Sequence, residues 1–220
     1  AETLRLLMNR GVGLLLALQR SAINSGEGEE EFIRRNYVKA ILGCGDALLL
    51  AGDCYSASLR ERCSHLAEWM NSPGAPEMLR HFSPLYEQMV EWKLLPRETD
   101  RTPVDPELLC EAACNWLKTL ICVVQLYSGR KFDDIDMCLH EIQKNPLFQS
   151  GKRWKNGIFS LLYFRRRFPS GDFFASPRLK ILEKVARFLM ATKSRSALFP
   201  NEKIFSQEFR DILVYWNRFN

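Results

Sequence analysis

The sequence predicts an all-α protein, a multi-helix bundle of about eight or nine helices forming a single helical domain over residues 1–220. Three observations carry that prediction. Apolar residues recur at three- and four-residue intervals along most of the chain, no stretch alternates with period two between hairpin turns, and the segment from Asp105 to Gly129 carries a complete set of helix start and stop signals. With 46% hydrophobic residues, the chain has ample material for a large core.

Glu2 to about Ile23 reads as the first helix, apolar almost all round and therefore central. Asn24-Ser25-Gly26-Glu27-Gly28 breaks the chain, and a second helix runs from about Glu30 to Ala51, ended by Gly52. Phe32, Ile33, Tyr37, Ile41, Cys44 and Leu48 form its inward face. Tyr55 to Met70 reads as a third helix. After the firm turn Asn71 to Pro76, a further helix reaches about Leu95, broken or kinked at Pro84. Residues 96–104 read as a linker-like loop where the domain could subdivide. Asp105 then supplies a capping side chain, Pro106 a proline at the first helical position and Glu107 an acid in the first turn, and this helix runs to Tyr127 and stops at Gly129. Shorter helices follow at about Asp133–Lys144, Lys152–Arg167, Pro177–Thr192 and Glu202–Arg218, with Ser176 and Asn201 as caps of the last two.

No apolar run approaches the roughly 20 residues that span a bilayer, so no membrane association is expected. The chain opens on Ala1 without the order of a signal peptide, which reads as a trimmed or partial product. Seven cysteines, five of them in helical segments, look like packed, reduced thiols and point to the cytoplasm. Without a Cys-x-x-Cys pair, and with three scattered histidines, no metal site and no cofactor are expected. The net charge of +5 is concentrated: Lys152, Arg153, Lys155, Arg165, Arg166 and Arg167 fall within residues 151–167 with no acid among them. These six, interleaved with Trp154, Tyr163 and Phe164, are the candidate nucleic-acid-binding residues, since cations neutralise phosphates and aromatic rings stack on bases.

The run from Ile41 to Ala51 holds one carboxylate, Asp46, in an otherwise uncharged helical segment. Its neighbours three and four residues away are Leu42, Gly43, Leu49 and Leu50, so no ion pair is available on its own helix. A partner must come from another helix. Arg62 stands in the middle of the stripe Tyr55, Leu59, Arg62, Leu66, Trp69, and Arg10 lies one turn from Leu6 and Leu14. Both are guanidinium groups on inward-looking faces, and either can meet Asp46 with parallel hydrogen bonds. Such a pair either fixes helix register or forms the wall of a polar recess that receives a ligand.

The stretch Leu4 to Leu15, with Asn9-Arg10-Gly11, followed by Tyr37-Val38-Lys39 through Gly45-Asp46 to Tyr55 and then Arg60-Glu61-Arg62, resembles the helical region that follows the catalytic domain in polymerase-beta-like nucleotidyltransferases. It is similar to the wider group that includes the antibiotic nucleotidyltransferase C-terminal domain and the HEPN domains. The resemblance covers roughly the first 70 residues. It implies an accessory or substrate-binding domain without its own catalytic centre, because the Gly-Ser pair of the catalytic half is missing. The lone Asp-x-Asp, Asp134-Ile135-Asp136, reads as a helix start. By the same resemblance Arg10, Lys39, Asp46, Tyr55 and Arg62 face the partner catalytic domain or its nucleotide. The alternative is a stand-alone nucleic-acid-binding or HEPN-like ribonuclease-related protein, for which Arg60 and His65 satisfy an Arg-x4-6-His spacing. Phosphate-loop, dinucleotide, zincin and nucleophile-elbow motifs are all missing.

Overall fold

The computed structural model describes residues 2–23, 27–95, 103–149, 176–193 and 202–219. Within them the chain forms α1 (Glu2–Ile23), α2 (Glu27–Ala51), α3 (Leu59–Met70), a short 3-10 turn (Glu77–Leu79), α4 (Phe82–Leu94), α5 (Pro106–Ser128), α6 (Ile135–Lys144), a second 3-10 turn (Pro146–Phe148), α7 (Pro177–Lys193) and α8 (Glu202–Phe219). No strand occurs among the described residues, so the all-α bundle is the observed fold. No helix among them is long and apolar enough to cross a membrane.

α1 occupies the centre, against α2, α5 and α7. Its apolar circumference requires this: Leu7, Val12, Leu14, Leu15 and Ala17 point in different directions yet are all fully buried. At Gly11 the neighbours come closest, because a Cβ there would lie 2.9 Å from the Trp116 ring of α5 and against Val185 of α7. The Trp116 indole is fully buried and donates its Nε1–H to the Leu7 carbonyl at 2.9 Å, so its one polar atom is satisfied. α1 and α2 form an antiparallel hairpin in which Gly13 faces Asn36 and Gly43 faces Arg10. At its closed end the Arg20 guanidinium lies 3.8 Å over the Phe32 ring and pairs with Glu29 at 2.9 Å.

The secure signals of α5 operate as expected. The Asp105 carboxylate accepts from the Glu107 N–H at 2.8 Å, Pro106 opens the helix, and Gly129 takes the left-handed conformation (φ 67°) while its N–H closes on the Gln125 carbonyl at 2.9 Å. Only glycine adopts that backbone without a Cβ penalty, so Gly129→Ala should lower the unfolding free energy by about 1 kcal/mol, read as a shift in urea midpoint at unchanged m-value.

Several details differ from the sequence reading, among them the start of α4, which comes at Phe82 after a separate 3-10 turn and not directly after Pro76. α2 starts at Glu27, a turn earlier. It ends in a Schellman arrangement in which Cys54 N–H bonds the Leu49 carbonyl (2.9 Å), and the left-handed residue is Asp53 (φ 55°) rather than Gly52. α3 begins at Leu59, because Ser58 accepts from the Glu61 N–H and caps it, leaving Tyr55 in the connection. Pro84 does not break α4: it is the third residue of the helix, where its missing N–H has no carbonyl to bond and costs nothing. The helix expected over Lys152–Arg167, the cap at Asn201 and most of the 96–104 loop lie outside the described residues.

The seven cysteines are all free thiols. Burial pushes Cys44, Cys122 and Cys138 up to about 12 each, which makes them inert packing groups.

Candidate functional site

Along α2, residues 40–45 and 47–49 are buried, and Asp46 is the single polar interruption. Its carboxylate is met from two other helices. The Arg62 Nη1 of α3 donates to Oδ1 at 2.7 Å, and the Tyr86 hydroxyl of α4 donates to the same oxygen at 2.8 Å. Of the two arginines singled out from the sequence, the structure therefore pairs Arg62 with Asp46. Arg10 makes no such bond; its stem lies across Gly43, one turn before Asp46.

The pair is neither deeply buried nor free. The Arg62 side chain is 9% exposed and the Asp46 side chain 19%. Burial by itself pulls the Arg62 guanidinium down, but the hydrogen bond and charge of Asp46 outweigh it, so the charged form is held more firmly than in water. Nη2 of Arg62 reaches the Ala57 carbonyl at 3.4 Å, and the guanidinium carbon sits 4.9 Å over the Tyr55 ring. Tyr55, 46% exposed, thus forms the outer lip of the cluster. The second oxygen, Oδ2 of Asp46, accepts no hydrogen bond from the described residues and is not sealed from solvent.

Tyr86 is fully buried, and burial first, then the charge and hydrogen bond of Asp46, push its phenol well above the ordinary 10.0. In the unfolded chain the phenol ionises near 10, before the folded one does. The stability from this contact is therefore intact below pH 10 and declines as pH rises beyond it. Denaturant midpoints at pH 8 and pH 11 check this: Tyr86→Phe should lose part of the alkaline decline that the parent chain displays.

Tyr86 has no sequence signature of its own. Gly43 and Gly45 do, because two glycines one turn and one residue before a lone carboxylate weaken the helix unless something must approach closely. At Gly45 that something is the Tyr86 ring, which lies where a Cβ would be. The remaining predicted residues fall as follows. Lys39 is exposed on α2, seven residues before Asp46 on the same stripe, and Tyr55, Asp46 and Arg62 are brought together. Lys152, Arg153, Lys155, Arg165, Arg166 and Arg167 lie outside the described residues.

Other candidate chemistry is taken up structurally. Asp134 caps α6 by accepting from the Met137 N–H at 2.8 Å, and Asp136 pairs with Arg187 of α7 at 2.9 Å. His65 bonds the Cys54 carbonyl through Nδ1 at 2.8 Å; a carbonyl only accepts, so Nδ1 carries the proton and ties α3 to the end of α2. A cavity of about 310 Å³ lies at the opposite end of the α1–α2 hairpin, between Ser21, Glu30, Ile33 and Val104, and none of the predicted site residues lines it. Compared with known protein families, with curated proteins and with solved structures, the chain matches none.

Proposed function

We propose that this chain is a helical accessory domain of a nucleotidyltransferase-like protein, without its own catalytic centre, and that the Asp46–Arg62–Tyr86 cluster is the wall it turns toward a catalytic domain's nucleotide. The observation that carries the reading is the half-used carboxylate. A brace that serves stability alone is best built as a closed, two-bonded Arg–carboxylate fork, with every lone pair occupied. Here both donors converge on Oδ1, Oδ2 is left without a donor among the described residues, and the Arg62 guanidinium that holds the carboxylate also lies under the exposed Tyr55 ring. That combination suits a ligand donor such as a hydroxyl, with Tyr55 as a flat apolar contact.

The test is a titration of the full chain with each of the four ribonucleoside triphosphates in magnesium, followed by NMR signals of Arg62 and Tyr55. At least one nucleotide should shift them saturably, and Asp46→Asn should weaken that response about tenfold with circular dichroism unchanged. A silent titration, together with a large loss of stability in Asp46→Asn, would reduce the cluster to a register-fixing brace.

The runner-up, a stand-alone nucleic-acid binder, is favoured by the six cations without an acid over residues 151–167. Single-stranded RNA titrated across a salt series separates it from the first reading: affinity falling steeply with salt supports it, and affinity indifferent to salt removes it. A ribonuclease built on His65 has only Nε2 to work with, since Nδ1 is engaged.

A further inference from the structure

We infer that Arg10 is the anchor of an oxyanion site at the crossing of α1 and α2, and that its ligand is a phosphoryl group. Three observations converge on this residue. First, Arg10 is partly buried, and its Nε, like that of Arg62, is sealed from solvent without a hydrogen-bond partner among the described residues. Second, among the described residues its guanidinium makes no ion pair, whereas three other partly or fully buried arginines, Arg20, Arg34 and Arg62, each hold a carboxylate. Third, α2 makes room for it: a Cβ at Gly43 would fall on its Cγ and lie 3.1 Å from Cδ and 3.2 Å from Nε.

A glycine inside a helix weakens it, and a buried unpaired donor weakens the fold again. Both penalties fall at one crossing. They are rational if the guanidinium is held ready for a group supplied from outside. The nearest acid on the α2 stripe, Asp46, is one turn on and already neutralised by Arg62. One turn back on the same stripe is Lys39, exposed and without an ion pair among the described residues. Among the described residues this part of the hairpin therefore presents two uncompensated cations, a potential that favours a doubly charged anion over a carboxylate. The planar guanidinium fork matches the oxygens of a phosphoryl group.

The inference deepens the reading given above, since Arg10 and Asp46 meet the same stripe of α2, but its test is separate. The arginine Nε–Hε NMR signals of the full chain are followed during titration with inorganic phosphate, with adenosine monophosphate and, at matched ionic strength, with acetate. The Arg10 signal should move saturably with phosphate and little with acetate. Tighter binding of the monophosphate by about tenfold assigns the site to a phosphate ester, and equal or weaker binding assigns it to free phosphate. Gly43→Ala keeps the charge but displaces the stem, so it should weaken binding about tenfold. Arg10→Met, which retains the packed stem, should abolish it, as read from the Gly43 amide, and Arg10→Lys should retain a weakened response. Asp46→Asn, which weakens the nucleotide response of the Asp46 recess and leaves Arg62 uncompensated, should not weaken phosphate binding at Arg10, so loss of the Asp46 recess and loss of the Arg10 site are told apart. An Arg10 signal that ignores phosphate, an equal response to acetate, or a folded Arg10→Met chain that titrates like the parent overturns the proposal.

Discussion

Replacing Arg62 with methionine is expected to lower the unfolding free energy by about 2–3 kcal/mol. Methionine keeps most of the stem packing, so the loss isolates the charge. Asp46 is left on an apolar helix face with the Tyr86 hydroxyl as its remaining donor. Because its side chain is 19% exposed, water offsets part of the deficit, which puts the cost below that of breaking a fully buried pair. The lost contact between guanidinium and Tyr55 contributes about 0.5 kcal/mol more.

The converse change is milder. In Asp46→Asn the amide oxygen still accepts from Nη1 of Arg62 and from Tyr86, so about 1–2 kcal/mol is expected. Combining Asp46→Leu with Arg62→Met removes both charges at once and should restore part of the stability lost in Arg62→Met alone. Urea unfolding of the single and double variants measures this coupling. An Arg62→Met chain within about 0.5 kcal/mol of the parent would mean that the pair behaves like an exposed surface pair, and the stability argument would fail.

How far the sequence could be read follows from where each contact originates. Helix class and the ends of α5 were legible because capping is local: Asp105, Pro106 and Gly129 act on backbone groups within one turn of themselves. The isolation of Asp46 was legible too, since i±3 and i±4 neighbours are fixed by the helix period. The choice between Arg62 and Arg10 was not, because both approach α2 from other helices and only the crossing geometry decides. The start of α3 was misread as Tyr55 because its stripe continues in register through the connection, while Ser58 and Glu61, which end that ambiguity, follow a capping pattern rather than an apolar one. Tyr86 was invisible for a plainer reason: it is 40 residues from Asp46 and looks like any core aromatic.

The second large effect concerns the residue that lets Tyr86 arrive. Gly45→Ala should lower stability by about 2 kcal/mol, although alanine is the better helix former by about 1 kcal/mol. The new Cβ would fall on the Cδ2–Cε2 edge of the Tyr86 ring and 3.0 Å from Cγ. That ring is fully buried and has nowhere to step, so α2 and α4 must separate or the phenol must leave its bond to Oδ1 of Asp46. Gly28→Ala on the same helix provides the control. A Cβ there meets nothing within 4 Å, so the change should be neutral or stabilising by up to about 0.5 kcal/mol. If Gly45→Ala were equally harmless, the glycine would not be explained by Tyr86, and the convergence of α3 and α4 on Asp46 would lose its structural cause. If it is costly and also abolishes the Tyr86-dependent decline above pH 10, one missing methyl group on α2 is what allows a buried phenol and a buried guanidinium to share a single carboxylate oxygen, leaving the other to face outward.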